Sequence, residues 1–360
     1  DKTKGCFPAP EKIMCAAVEG AQVDFDTAQI IEARYFTELT TGQVAKNMIG
    51  TFWFQLNEIN AGSSRPQGIP LYVTKKVGVL GAGMMGAGIA YVSAAAGIEV
   101  VLKDVSIEAA EKGKAYSQGL LDKAISRGRS TADKRDALLA KIQPTTSYAD
   151  LQGCDLVIEA IAERMDWKAD LYAKVGPHLG ENTIFATNTS GLSINQLAES
   201  LPAALKPRFC GVHFFNPPRY MHLVEIIPCV GSDAGILDNL ERVLVSTLGK
   251  GVIRAKDTPN FVANRIGVFS MLATIANAEK FGIRFDIVDD LTGPRLGRPK
   301  SATFRTADVV GLDTFSHVVK TMQDTLPNDP WHALFQSPQW LQKLIADGAL
   351  GAKTKRGIYK

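Results

Sequence analysis

The chain has 360 residues, of which 46% are hydrophobic and 21% charged, and its net charge is +3 at neutral pH. This length fits two or three domains. The charge is too small and too dispersed to predict nucleic-acid binding, and no apolar run approaches the ~20 residues of a membrane span. Five cysteines without CxxC spacing predict neither a disulfide framework nor a zinc site, and they favour a reducing compartment.

The first part of the chain has a helical pattern. Residues 23–60 are predicted to be helical, with Thr40 and Gln43 forming a capping box. Residues 61–68 have the composition of a linker. We therefore expect a helical tail and linker over residues 1–73. Because the chain begins with Asp1 and not with Met, we expect its N-terminus to have been cut from a longer protein.

Two short apolar runs then flank a glycine-rich turn, Gly81-Ala82-Gly83-Met84-Met85-Gly86, and an Ala-rich stretch that favours helix. Glycines at this spacing allow a tight turn, a close approach of the backbone to a pyrophosphate and close packing of helix on strand. The free N–H groups at the start of the helix favour phosphate binding. In this strand–turn–helix context the motif predicts a dinucleotide site.

An acidic residue, Asp104, follows the second apolar run and lies eighteen residues beyond Gly86. A carboxylate there can accept hydrogen bonds from ribose hydroxyls and would repel a 2′-phosphate, which predicts NAD as the cofactor and not NADP. The cofactor-binding residues predicted from this segment are Gly81, Gly83, Met84, Met85, Gly86 and Asp104.

Apolar runs alternate with helical segments as far as residue 255, which predicts a doubly wound, Rossmann-type α/β domain over residues 74–256. Strand patterns then end. Thr258 as N-cap and Pro259 in the first helical position predict a helix to about Phe281, closed by Gly282. The remainder predicts an all-helical domain over residues 257–360.

A candidate general base lies where two apolar runs are separated by Asn216-Pro217-Pro218. If the runs pair antiparallel with Phe215 opposite Leu223, His213 faces Glu225, at a Cβ distance of ~5 Å. A carboxylate in that position fixes the imidazole tautomer and raises its basicity, as proton abstraction requires. The alternative is a strand-end histidine and an unrelated surface glutamate.

Two further polar residues are candidates for ligand binding. Ser190 follows a predicted strand at the carboxyl edge, where open α/β sheets bind ligands, although a helix N-cap is the alternative. Asn264 lies six residues into the helix predicted after Pro259 and faces either a cleft or solvent.

Six segments of the chain resemble the L-3-hydroxyacyl-CoA dehydrogenase family. They are VGVLGAGMMGAGIA, IEAIAERMDWK, HFFNPPRYMHLVEIIP, DTPNFVANRIG, GLDTFSHVVKTM and GALGAKTKRGIYK. The resemblance covers residues 74–360. It is closer to the dehydrogenase part of multifunctional fatty-acid β-oxidation proteins, and residues 1–70 resemble the end of an enoyl-CoA hydratase domain with its linker.

The resemblance implies reversible, NAD-dependent oxidation of an (S)-3-hydroxyacyl-CoA to a 3-ketoacyl-CoA, with His213 as the base and Glu225 as its partner. It implies that Ser190 and Asn264 bind the substrate or help to place the nicotinamide. The remaining positions that the resemblance assigns to the cofactor or its surroundings are Glu163, Lys168, Asn188 and Asn216. Family members often have Ser-Ser where this chain has Ser190 followed by Gly191.

An acyl-CoA is the implied partner, with no nucleic acid, membrane span or metal. We expect a homodimer formed through residues 258–345, because multifunctional relatives cover that face with a second helical domain, and a thiolase subunit in the full-length context. The bacterial cytoplasm is the expected location, or the mitochondrial matrix or peroxisome in a eukaryote. Two other functions stay open: an NAD-dependent dehydrogenase of another β-hydroxy acid, and a non-catalytic, crystallin-like relative.

Overall fold

The computed structural model describes residues 3–63, 68 and 73–359. Its contacts divide the chain into two compact parts. We call residues 58–264 the sheet part, and residues 1–57 together with 265–360 the helical part. The domain boundaries predicted at residues 73/74 and 256/257 stay predictions. Residues 64–67 of the predicted linker lie outside the described residues.

One eight-stranded sheet forms the centre of the sheet part. Its strands are β1 Lys76–Leu80, β2 Glu99–Lys103, β3 Ile142–Thr145, β4 Leu156–Glu159, β5 Ile184–Thr187, β6 Phe209–Phe214, β7 Leu223–Pro228 and β8 Gly251–Arg254. The order across the sheet is β3-β2-β1-β4-β5-β6-β7-β8. The first six strands are mutually parallel, and β7 pairs antiparallel with β6. This is the predicted doubly wound fold, in which the strand order reverses beside β1.

The helices before the sheet are α1 Pro8–Gly20, α2 Phe25–Thr41, α3 Gln43–Ile49 and α4 Leu56–Asn60, with a π-helical turn between α3 and α4. The predicted capping box is wrong, because α2 continues to Thr41. Thr40 Oγ1 therefore donates to the Phe36 carbonyl at 3.0 Å, inside that helix. Gly42 precedes α3 and offers no side-chain cap.

The helices that cover the sheet are α5 Met84–Ala95, α6 Ile107–Ser126, α7 Ala132–Leu139, α8 Met165–Val175, α9 Ile194–Glu199 and α10 Ala234–Arg242. One core cluster joins alternate strand residues to Ile89 of α5 and Leu240 of α10. A second joins the opposite strand residues to Tyr172 of α8 and Leu197 of α9. Because successive strand side chains point to opposite faces, the near-continuous apolar strands feed both clusters.

The helices after the sheet are α11 Ala263–Lys280, α12 Phe285–Thr292, α13 Phe304–Val310, α14 Leu312–Thr325 and α15 Gln339–Ala346. Their buried side chains, among them Leu272, Phe304 and Phe315, form a separate core in the helical part. The predicted start of α11 at Thr258–Pro259 is wrong. Asn260 and Phe261 have φ of 61° and 53°, outside the helical region, so the helix begins only at Ala263.

Candidate active site

The glycine-rich turn joins β1 to α5. Gly81 has φ of +98°, and a Cβ on Gly86 would lie 1.8 Å from the Gly81 carbonyl oxygen, so neither position tolerates a side chain. At Gly83, the N-cap of α5, a Cβ would meet no atom within 4 Å, and no side chain caps the helix. The open space in front of the helix N-terminus fits a pyrophosphate group.

Asp104 lies directly beside this turn. Its Oδ2 accepts the Ala82 N–H at 2.6 Å, and its Oδ1 accepts the Val105 N–H at 2.6 Å. A cavity of about 540 Å³ includes Gly81, Asp104, Tyr148 and Ile161 in its lining. Its size and its carboxylate fit an adenosine with the ribose at Asp104.

The predicted pairing of His213 and Glu225 is present in the structure. The two residues lie opposite each other in the antiparallel β6–β7 pair, and His213 Nδ1 is 2.6 Å from Glu225 Oε2. His213 is 3% exposed and Glu225 is 0% exposed, so the contact is shielded from bulk water. The other carboxylate oxygen, Oε1, accepts the N–H groups of Val262 and Ala263 at 3.0 and 2.9 Å.

These hydrogen bonds keep the carboxylate charged. Burial raises the pKa of Glu225, but the hydrogen bonds from His213, Ala263 and Val262 outweigh it, and the pKa lies below its ordinary value. An ionised Glu225 accepts the Nδ1–H of the imidazole. Nε2 is then the nitrogen through which His213 can exchange a proton with a substrate.

The turn before α11 directs the two N–H groups at Glu225. Its residues Asn260 and Phe261 both have positive φ, a conformation that costs free energy in residues other than glycine. Phe261 is buried, with its ring centroid 5.6 Å from that of His213. The sequence pattern did not reveal this turn, because Thr258-Pro259 matches a helix start equally well.

A second carboxylate supports the loop that contains Ser190. Glu163 Oε1 accepts the Ser190 N–H at 2.6 Å, and Oε2 accepts the Thr189 hydroxyl at 2.5 Å. Ser190 is not a helix N-cap, because Ser193 caps α9 by accepting the N–H of Gln196. The predicted cofactor contact of Glu163 and the substrate contact of Ser190 stay predictions.

Asp257 is a residue that the sequence reasoning missed. Its carboxylate accepts the Ser193 hydroxyl at 2.7 Å and the Ile194 and Asn195 N–H groups at 2.9 Å. It therefore ties the start of α9 to the turn before α11. An acidic residue before Thr-Pro was the available signal, but its partners lie more than sixty positions away in the sequence.

The predicted asparagines lie around the same edge of the sheet. Asn188 Oδ1 accepts the N–H of Phe214, the neighbour of His213, at 2.9 Å. Asn216 Nδ2 lies 3.4 Å from the sulfur of Met84 in the glycine-rich turn. Asn264 directly follows Ala263, whose N–H binds Glu225. The structure thus places the three near the candidate base or the cofactor turn, and their predicted ligand contacts stay predictions.

Lys168 lies in a buried group of polar side chains around Glu159. It is buried, and its Nζ lies 2.6 Å from Glu159 Oε1. Glu159 Oε2 also accepts hydroxyl groups from Thr187 at 2.7 Å and from Tyr172 at 3.1 Å. The ammonium group of Lys168 is therefore paired with a carboxylate inside the protein. A direct contact of Lys168 with the cofactor stays a prediction.

Residues 3–63, 68 and 73–359 contain neither a membrane-spanning helix nor a cluster of metal ligands. No helix in these ranges has the length and apolar character needed to cross a bilayer. No group of three or more His, Cys, Asp or Glu side chains in the same ranges is arranged to hold a metal ion.

Comparison with protein families assigns most of the chain. Residues 76–258 match the NAD binding domain of 3-hydroxyacyl-CoA dehydrogenase, and residues 261–360 match its C-terminal domain. The chain belongs to the 3-hydroxyacyl-CoA dehydrogenase family. The predictions of a Rossmann-type domain followed by a helical domain, of an NAD-dependent oxidoreductase and of NAD as the cofactor are confirmed at the level of this family.

Two curated relatives are each named "Probable 3-hydroxyacyl-CoA dehydrogenase". The protein from Bacillus subtilis is 39% identical over 302 residues, which are 79% of this chain but only 38% of the relative. The protein from Deinococcus radiodurans is 39% identical over 288 residues, 79% of this chain and 82% of the relative.

Solved structures of the family have the same fold. FadB2 from Mycobacterium tuberculosis is 31% identical with a TM-score of 0.75, over 80% of this chain and 99% of the other. The (S)-3-hydroxybutyryl-CoA dehydrogenase PaaH1 from Ralstonia eutropha is 34% identical with a TM-score of 0.72, over the same shares of 80% and 99%.

Proposed function

We propose that the protein oxidises (S)-3-hydroxyacyl-CoA to 3-ketoacyl-CoA with NAD, and catalyses the reverse reduction. The observation that carries the proposal is the buried His213–Glu225 pair, at 2.6 Å, in the same sheet as a turn that fits a pyrophosphate. The names of the relatives support the substrate class. A dehydrogenase of a β-hydroxy acid without CoA is the competing function.

In the oxidation His213 removes the proton of the 3-hydroxyl group through Nε2, and the charged Glu225 stabilises the resulting imidazolium. The N–H groups of Val262 and Ala263 hold the carboxylate in place, so the imidazole keeps one orientation. Bound NAD supplies the acceptor for the hydride that leaves C3. Gly81, Gly83, Gly86 and Asp104 would hold its pyrophosphate and adenosine ribose.

Ser190 and Asn264 would bind the reacting oxygen or the thioester carbonyl. Both lie next to backbone groups that are fixed by carboxylates, Glu163 for Ser190 and Glu225 for the residue before Asn264. Such preorganisation is what a proton and hydride transfer needs, because the donors do not have to reorient during the reaction.

A group of cations and aromatic rings would recognise the nucleotide end of CoA. Arg219 binds the hydroxyl of Tyr116, and its guanidinium lies 4.4 Å from the Tyr220 ring centroid. The hydrogen bond from Arg219 and the charges of Arg219, Arg127 and Arg129 lower the pKa of Tyr220. Three cations attract phosphates, and exposed rings can stack on adenine.

Steady-state kinetics test the proposal. Wild-type protein should consume NADH with acetoacetyl-CoA, and should be much less active with free acetoacetate or with NADPH. Equal activity with free acetoacetate would instead support the β-hydroxy acid dehydrogenase. The absence of turnover with either substrate would support a non-catalytic relative.

We propose further that this dehydrogenase works in β-oxidation within a longer, multifunctional protein of the bacterial cytoplasm. The resemblance of residues 1–70 to the end of a hydratase domain supports this. The 360-residue chain should then reduce acetoacetyl-CoA without hydrating crotonyl-CoA. Hydration by this chain alone would contradict the assignment.

Self-association is proposed through the helical part. Several of its apolar side chains are exposed, including Phe281 at 65% and Leu291 at 48%. Burying apolar surface is favourable by ~25 cal/mol per Å². Sedimentation of wild type and Phe281→Glu should show a dimer and a monomer, respectively.

In the full-length context we propose a thiolase subunit as a further partner, which co-purification of that protein would test.

A further inference from the structure

The loop between β6 and β7, residues 215–222, is held by a buried lysine. Lys250 precedes β8 and is 5% exposed. Its ammonium donates to the carbonyl oxygens of Pro218 and Met221, at 2.5 and 2.8 Å. These two acceptors are on the loop, so one side chain fixes its middle and its far end.

Burying the ammonium group of Lys250 costs free energy that an apolar side chain at the same position would not cost. Burial lowers the pKa of Lys250, because the charged ammonium loses its water. The carbonyl acceptors carry no full charge, so they offset this cost less well than a carboxylate would. A lysine at this position therefore indicates a requirement on the placement of the loop.

The opposite side of the loop rests on the cofactor helix. Pro218 packs on Gly88 of α5, where a Cβ would lie 2.8 Å from Pro218 Cδ and 3.0 Å from its Cγ. A side chain at residue 88 would displace the rigid proline ring or the helix. The N-terminus of the same helix forms the proposed pyrophosphate site.

The loop contains two residues of the proposed site. Asn216 contacts Met84 in the glycine-rich turn, and Arg219 contributes to the proposed CoA-binding group. We infer that Lys250 and Gly88 are positioning residues that fix the 215–222 loop, and with it Asn216 and Arg219, against the cofactor helix. The functional consequence rests on the proposed acyl-CoA activity, whereas the placement of the loop does not.

Hydrogen exchange tests the placement without any substrate. The N–H groups of Tyr220 and Met221 bond to the Pro217 carbonyl at 3.0 and 3.1 Å, inside the loop. In Lys250→Met these amides should exchange at least tenfold faster than in wild type, while amides of β1 stay unchanged. Lys256→Met, which alters an exposed lysine, is the matched control. Wild-type exchange in Lys250→Met would overturn the inference.

Kinetics test the consequence for the site. A misplacement of about 1 Å can lower a rate by roughly 10²-fold. Lys250→Met and Gly88→Ala should therefore lower kcat/KM for acetoacetyl-CoA by ten- to a hundredfold. The preference for acetoacetyl-CoA over acetoacetyl-pantetheine, which lacks the nucleotide, should shrink in both variants because Arg219 is displaced. A general loss of stability would lower activity on both thioesters alike.

Failure of the proposed function and failure of the inference about Lys250 and Gly88 give different results. If wild type does not reduce acetoacetyl-CoA, the proposed function fails, and hydrogen exchange alone decides the inference. If wild type is active and both variants keep its kinetics and thioester preference, the inference fails. Should Lys250→Met not fold, Gly88→Ala and the conservative Lys250→Arg, which should retain the preference, provide the same test.

Discussion

Two buried glutamates of the same sheet show how different partners give one residue type different properties. Glu225 is bound by His213 and by two backbone N–H groups. Glu159 is bound by Lys168, by the hydroxyls of Thr187 and Tyr172 and by the Ile161 N–H. Both are 0% exposed. Only the first has an imidazole as its partner, whose second nitrogen can exchange a proton with a substrate.

The difference assigns the two sites separate tasks. The Glu159–Lys168 contact is a buried ion pair that ties the end of β4 to the start of α8, and Thr187 of β5 binds the same carboxylate. In the Glu225–His213 pair the carboxylate orients an imidazole, which can accept a proton from a substrate through Nε2. Exchanging the roles would leave either an unpaired buried charge or a base without orientation.

The largest effect that tests this comparison is expected for His213→Gln. Removal of a general base lowers rates by ~10²–10⁴-fold, and glutamine keeps a hydrogen-bonding group beside Glu225. We expect kcat for acetoacetyl-CoA reduction to fall on that scale with little change in NADH affinity, measured by steady-state kinetics and fluorescence titration. His222→Gln is the control. Near-normal turnover in His213→Gln would move the base to His222.

Glu225→Gln should lower turnover on a similar scale through a different cause. The pKa of Glu225 lies below its ordinary value, so the carboxylate is charged throughout the neutral range. The variant removes this negative charge, which otherwise stabilises the imidazolium of His213 during the reaction.

Steady-state kinetics of acetoacetyl-CoA reduction by wild type and Glu225→Gln provide the measurement. Wild-type turnover in Glu225→Gln would show that the charge of Glu225 does not support His213.

The sequence predicts the Glu225 site better than the Glu159 site, for a physical reason. His213 and Glu225 are on consecutive strands that pair with each other, so the assumed pairing of Phe215 with Leu223 placed them opposite each other. Lys168 is in α8 and Thr187 in β5, and only the packed fold brings them to Glu159. The strained turn at Asn260 and Phe261 was hidden for the same reason, since its stabilising partner Glu225 lies more than thirty positions earlier.

Lys168→Met tests the buried ion pair. It leaves the Glu159 carboxylate buried without its cation, which typically destabilises a protein by about 3–5 kcal/mol. Urea unfolding should show this loss. Lys174→Met, which removes an exposed i,i+4 pair with Asp170, should leave the stability nearly unchanged. The double variant Glu159→Gln/Lys168→Met should recover much of the loss. Equal stability of the Lys168 and Lys174 variants would show that the buried pair does not stabilise the fold.

The smallest effect concerns Asp104, a third carboxylate, which directly follows β2. It is expected to bind the cofactor and to take no part in proton transfer. Asp104→Ala should raise the KM for NADH by roughly tenfold, equivalent to about 1.4 kcal/mol, and should reduce the difference between the KM values for NADH and NADPH.

Asp104→Asn separates the effect of charge from that of hydrogen bonding, because its amide oxygen can still accept the Ala82 N–H. If the negative charge of Asp104 excludes the 2′-phosphate, Asp104→Asn should reduce the preference for NADH over NADPH nearly as much as Asp104→Ala. Asp166→Ala, in the same cavity but paired with Arg164, should leave the ratio of the two cofactors unchanged. Comparable use of NADPH and NADH by wild type would refute this role of Asp104.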